Sequence, residues 1–493
     1  MSYFKSLRIK RNVIATAIQA VISGLVLFIL YRYLYNMLGI EQIGIWSLVL
    51  ATTSISLIGD FGLSAGVVRY VAEALGRNDT ERAANVVQTV VLTLGLFMGM
   101  LLIIGYPLFV FALGYLLPAH SVPIALSILP YAIMSLWVMV VVGVISGGLD
   151  GCMRMDLRSL FMGLSNLGYL GLTMLLVPRY GLEGVAIAQL LQSFGLMVLL
   201  WWMLRQQLTQ LPLIPLHWKF PLLKEMFGYG ANVQIISVIS MLFDPVVKVL
   251  MSKFGGLAAL GYYQMANKLI LQVRSIIVEA SRVIVPAVAT LQMHDSDKNA
   301  QFIITSYRLT FYVAVLFYGL LGIGITAISL LWIGHYQVMF IQFALILNIG
   351  WFTNTLIGPA YFFNLGSGKL RSNMISQVII VIGSIVLGTA LGSNYGGMGV
   401  VIGTTIGLIA GSVFLLNIHF KQAGLSWFSI IIPRDMIKLL ILSISTVFLS
   451  NYGRDTQSPI TVVIGISLMC TIPLLFMGWF NPARMILLHR GNT

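Results

Sequence analysis

Gln264, Lys268, Gln272, Ser275, Glu279 and Arg282 recur at helical spacing within a stretch that is otherwise apolar. At 100° per residue they share about 80° of arc, and from first to last the helix would rise ~27 Å. That is close to the ~30 Å hydrocarbon core of a bilayer. A charge at the centre of such a core costs at least ~2.5 kcal/mol, so the stripe is expected to face a wet cavity or partner helices. Asn267 and Arg274 stand on the adjoining face and are expected to line a wall of the same cavity. A helix salt-bridged to itself would set Glu279 beside Lys268 or Arg282, but one acid cannot neutralise all the cations present. Upstream, Asp244 and Lys248 are spaced i,i+4, with Ser237 and Ser240 on their face and Pro245 interrupting the backbone ladder. Arginine grips an anionic group through paired hydrogen bonds, and lysine offers it a point charge. Lys248, Lys268, Arg274 and Arg282 are therefore the candidate anion-binding set, with Gln264, Asn267, Gln272 and Ser275 as polar lining.

Asp60, Asp244 and Glu279 are the candidates for ion coupling, since an intramembrane acid is a proton or cation site by default. Asp244 has Lys248 near it, and Glu279 has Lys268 or Arg282. Asp60 shares a face with Thr53, Ser56 and Ser64 and has no cation within one helical turn. It is either the acid that exchanges a proton most readily or a partner of Arg69 that fixes the next loop. Cys152, Cys470 and the histidines match no metal or redox spacing. The histidines are expected at span ends or in loops. Gly366-Ser367-Gly368-Lys369 lacks the first glycine and the following hydroxyl of a phosphate-binding loop. No cofactor is expected beyond a coupling proton or sodium ion, and no catalytic residue is proposed.

Long apolar elements must position these groups. Hydrophobic residues make up 58% of the 493-residue chain and charged residues 9%, far below the roughly one quarter of a soluble domain. Apolar runs of about 20 residues recur, giving about fourteen expected transmembrane helices and an all-α membrane protein. The first run, Val13 to Met37, is too long for a signal-peptide core and is expected to be retained. The net charge of +14 is distributed by loop. Lys5, Arg8, Lys10 and Arg11 precede the first run, and further basic groups follow the even-numbered runs. The alternate loops near 116–122, 332–337 and 392–397 carry no Lys or Arg. This is the positive-inside bias, which puts both termini in the cytoplasm and makes a nucleic-acid partner unnecessary.

The chain repeats itself. Tyr180-Gly181-Leu182-Glu183-Gly184-Val185 recurs as Tyr395-Gly396-Gly397-Met398-Gly399-Val400, and at the same offset Gly151 and Arg154 match Gly366 and Lys369. Gly39 and Gly44 match Gly256 and Gly261 at nearly that offset. Two parallel-repeat lobes of six helices are expected at 1–204 and 226–424. Between them lies a cytoplasmic linker at 205–225, carrying Pro212, Pro215 and Pro221, and a further helix pair follows at 425–493. Parallel repeats are a transporter architecture, with the substrate held between lobes that rock. Gly399, Gly403, Gly407 and Gly411 form a smooth ridge for close helix packing.

Leu38-Gly39-Ile40-Glu41-Gln42-Ile43-Gly44, Asp60-Phe61-Gly62-Leu63 with Arg69, Gly261-Tyr262-Tyr263 through Lys268 to Pro286, and Tyr180-Gly181 through Gly184-Val185 carry a family resemblance. The chain resembles the Wzx-type oligosaccharide-lipid flippases of the multidrug/oligosaccharidyl-lipid/polysaccharide (MOP) exporter superfamily. The resemblance implies a V of two six-helix bundles, like the MATE exporters, and a multi-pass place in the bacterial inner membrane. It implies transport in polysaccharide or lipopolysaccharide O-antigen biosynthesis. There, undecaprenyl-pyrophosphate-linked oligosaccharide passes from the cytoplasmic to the periplasmic leaflet by alternating access, often ion-coupled. The implied partners are the lipid-linked oligosaccharide, membrane lipid, and a polysaccharide polymerase with other assembly proteins. No coupling acid carries over in the first span, which contains none. A lipid II flippase would want the same cationic cavity. A multidrug exporter for cations would want excess acid and aromatic walls. A membrane-embedded glycan polymerase or ligase would be an enzyme with catalytic groups on a large outer loop, and every expected outer loop is short.

Overall fold

The computed structural model describes residues 2–54, 62–281, 296–368, 370–424, 434–451 and 460–479. Among them every regular element is a helix, as a backbone without water to bond to requires. Among the described residues eight segments are long and apolar enough to cross a membrane. By contacts the chain forms two compact units, Met1–Ser252 and Lys253–Thr493.

The first unit holds α1 (Ser2–Leu38), α2 (Ile40–Ser54), α3 (Leu63–Gly76), α4 (Thr80–Leu116), α5 (Val122–Gly151), α6 (Met155–Gln207) and the first part of α7 (Phe220–Ser281). Asn78 takes a left-handed turn (φ 58°), and the Asp79 carboxylate then accepts the Arg82 amide at 2.8 Å, capping α4. α5 is central, packed by α3, α4 and α6, with α1 along α6. Gly147 and Gly151 of α5 lie so close to the backbone of Ser64 and Val68 that a Cβ would collide. The core joins Val67 and Val71, Val87 and Val90, Val144 and Leu149, and Leu200 and Leu204. Leu211, Leu223 and Met226 complete it. The stretch expected as an inter-lobe linker thus packs within the first unit, and the boundary between units falls after Ser252.

The second unit holds the rest of α7, α8 (Ser296–Ile333), α9 (Val338–Leu356), α10 (Gly358–Ser367), α11 (Arg371–Gln422), α12 (Arg434–Asn451) and α13 (Ile460–Trp479). α9 packs on both α8 and α11. The C-terminal pair, α12 and α13, packs on α8, where Asn451 donates to the Gly322 carbonyl at 3.0 Å and Ser450 to that of Ile323 at 2.8 Å.

Helices of 53 and 52 residues would extend ~80 Å as rods, far more than a bilayer. Each is broken by one glycine at a φ that other residues avoid: Gly181 (φ 54°) in α6 and Gly396 (φ 59°) in α11. These are equivalent positions of the sequence repeat. Gly39 (φ 81°) and its counterpart Gly256 (φ 79°) agree, and at the offset of 215, inside the anchor Gly151 to Arg154, Met153 (φ 57°) and Gly368 (φ 74°) are alike too. After each kink, Gly184 abuts the backbone of Leu176 and Gly399 that of Leu391. Divided at Gly181, Gly256 and Gly396, the helices account for the expected spans, α2 with α3 and α9 with α10 each standing for one. The glycine ridge of α11 meets the first half of the same element, against the backbone of residues 376–391.

Candidate functional site

The second half of α7 carries the polar stripe, and its residues have different fates. Gln264 and Asn267 are buried, Gln272 and Arg274 half-buried, and Lys268 and Ser275 exposed. Arg282 and the side chain of Glu279 lie outside the described residues, as does Asp60. The groups brought together most closely are those of the adjoining face, Asn267 and Arg274, rather than the stripe itself.

Their partners come from α9. Trp351 donates its indole N–H to Asn267 Oδ1 at 3.0 Å, and its ring lies 5.0 Å from the Arg274 guanidinium carbon. Arg274 Nη2 donates to Asn354 Oδ1 at 3.1 Å, and Asn354 Nδ2 donates to Ser412 Oγ of α11, also at 3.1 Å. The chain runs on through Ser412, whose hydroxyl donates to the Leu408 carbonyl at 2.7 Å. Next to Asn354 on α9, Thr355 shares a 2.7 Å hydrogen bond with Tyr318 of α8, and Asn348 donates to the Tyr318 carbonyl at 3.0 Å. The guanidinium of α7 is thus held from the side and from its face by α9, which hydrogen bonds tie in turn to α11 and α8. Arg274 Nε is buried without a hydrogen-bond partner, and among the described residues no carboxylate pairs with this cation. A guanidinium over a tryptophan ring gains about 0.5–2 kcal/mol, and a charge-assisted bond holds it further, without a carboxylate among the described residues to neutralise it.

Asp244 and Lys248 lie in the first unit and form an ion pair of 2.7 Å. The Lys248 side chain is 6% exposed and that of Asp244 44%, so the acid escorts a buried ammonium. Lys248 is therefore committed to Asp244, whereas Arg274 keeps its charge open. His419, expected at a span end or in a loop, is in the last turn of α11 and is buried, its ring 5.1 Å from Phe363 and 5.9 Å from Tyr307. Among the described residues no cluster of three His, Cys, Asp or Glu could hold a metal.

Trp351, Asn354, Ser412, Tyr318 and Thr355 were not marked by the stripe. Their signal is an amide face on α9: Asn348, Trp351, Asn354 and Thr355 fall at i, i+3, i+6 and i+7 in an apolar run.

The polysaccharide biosynthesis protein family matches residues 9–292. A search of curated proteins finds no significant match. Among solved structures, an inward-facing MATE-family multidrug resistance transporter of the MOP superfamily is similar with a TM-score of 0.73 at 15% identity, covering 82% of this chain and 98% of that one. The lipid II flippase MurJ, in an inward closed conformation, is similar with a TM-score of 0.72 at 15% identity, covering 94% and 97%. A MOP superfamily transporter from Pyrococcus furiosus gives 0.57 at 13% identity, covering 83% and 95%. At these identities the likeness is one of fold, and the fold is that of MOP transporters.

Proposed function

Because the chain belongs to the polysaccharide biosynthesis protein family, we propose that it flips a lipid-linked oligosaccharide with a diphosphate head, carrying it from the cytoplasmic to the periplasmic leaflet. The observation that supports this reading best is Arg274, a half-buried cation gripped by Asn354 and Trp351 whose Nε has no hydrogen-bond partner. In the proposed cycle a phosphate oxygen accepts from Arg274, and Lys268 adds long-range attraction from its exposed position. The lipid tail stays in the membrane while the polar head crosses. An exporter of cationic drugs would be poorly served by this site, since a guanidinium repels such a substrate.

In cells whose surface polysaccharide depends on this chain, Arg274→Ala should abolish glycan export while the protein still inserts. Arg274→Lys should keep part of the activity, because it preserves charge but loses the planar stack. Export at the wild-type rate by Arg274→Ala would defeat the proposal.

Coupling is assigned to Asp60. In proteoliposomes, wild-type transport should speed up under an imposed pH gradient, and Asp60→Asn should transport without responding. An Asp60→Asn protein that still follows the gradient would take Asp60 out of the mechanism.

A further inference from the structure

The segment 208–219 between α6 and α7 is non-helical, but it does not hang free. It lies along α4 as a strap. Leu216 N and His217 N both donate to Gln88 Oε1 at 3.3 Å, and Lys219 N donates to Thr89 Oγ1 at 3.2 Å. The Trp218 indole donates to Thr93 Oγ1 at 3.0 Å, and on the other flank Trp201 of α6 donates to the Leu213 carbonyl at 2.8 Å. Outward, the strap presents Leu213, Ile214, Leu216, Trp218 and Phe220, each more than half exposed.

Three features agree on what this surface meets. First, several backbone amides are satisfied by side chains of α4, and Pro212, Pro215 and Pro221 have none to satisfy, the arrangement required where water is scarce. Second, Lys219 snorkels: its backbone is bonded at Thr89, yet its ammonium reaches back to Glu81, 3.9 Å away and ~12 Å nearer the start of α4. Third, Trp218 of the strap and Trp201 bonded to it have the amphipathic character of residues at a membrane–water boundary. Charges gather at one end, where Arg82 also pairs with Glu225 at 3.1 Å, and apolar side chains occupy the other.

We propose that residues 211–220 form an interfacial strap seated in the bilayer, its apolar side chains entering the boundary between lipid head groups and acyl chains. The lipid surface itself is the partner. The strap thereby anchors the first unit at a fixed depth and ties α4 to α6.

The test uses the full-length protein, with Cys152 and Cys470 replaced, in phosphatidylethanolamine–phosphatidylglycerol vesicles. Nitroxide labels are placed at Ile214→Cys, Leu216→Cys and, as a water-exposed reference, Gln210→Cys. Collision with oxygen and with a polar nickel chelate is then measured. Ile214 and Leu216 should show an oxygen-to-nickel accessibility ratio several-fold above that of Gln210. A ratio equal to that of Gln210 would put the strap in water and overturn the proposal. Protection from both reagents would mean that a second copy covers it, and would overturn the proposal equally.

Discussion

At the scale of single residues, two cations in membrane helices have opposite settings. Lys248 has its own acid one turn away, whereas Arg274 is held by an amide, a tryptophan and no described carboxylate. Removing the partner of a buried charge is worse than removing the charge. Asp244→Ala should therefore destabilise the protein by about 1–3 kcal/mol, less than a fully buried pair because Asp244 is half exposed. Lys248→Met should cost less, and the double variant should recover much of the loss; thermal unfolding in detergent measures all three. A larger loss for Lys248→Met than for Asp244→Ala would reverse this assignment. The i,i+4 spacing made the Asp244–Lys248 pair legible from the sequence. The setting of Arg274 was half legible: its charge was plain, but Trp351 and Asn354 stand about 80 positions away, beyond the reach of any local pattern.

At the scale of elements, glycine decides where helices turn and how closely they pack. The Tyr180-Gly181 and Tyr395-Gly396 repeats were visible as letters, and each glycine proves to be a left-handed break in a helix too long for a membrane. The ridge Gly399, Gly403, Gly407 and Gly411 was legible as a packing surface, because small residues at i,i+4 leave a groove. Its partner was not, since the ridge folds back on its own element across the Gly396 turn. Gly403→Ala forces a Cβ into the Leu387 carbonyl and should cost about 1–3 kcal/mol of stability. Gly195→Ala, with open space around it, should be neutral or slightly stabilising. Equal melting temperatures for the two variants would contradict the packing. The packing of the strap at 208–219 was not legible: its prolines and polar letters mark a linker, while the anchors Gln88, Thr89 and Thr93 lie more than 120 positions earlier.

At the scale of the whole molecule, composition alone established a polytopic helical membrane protein, and the repeat foreshadowed the transporter fold. The alternation of basic loops goes further and predicts sidedness. Ser393 is exposed beside the Gly396 turn, so Ser393→Cys, without native cysteines, should react with an impermeant thiol reagent in intact cells. Labelling only after lysis would invert the topology. The central claim is that this chain moves a diphosphate-headed glycolipid and that Arg274 holds the head. Its most direct test is a purified-protein flip assay, with a polyprenyl-diphosphate oligosaccharide in one leaflet of proteoliposomes and a membrane-impermeant glycosidase reporting arrival in the other. Wild-type protein should expose the glycan far faster than empty vesicles, and Arg274→Ala should fall to the empty-vesicle rate. A wild-type protein no faster than empty vesicles would contradict the account, as would an Arg274→Ala protein as fast as wild type.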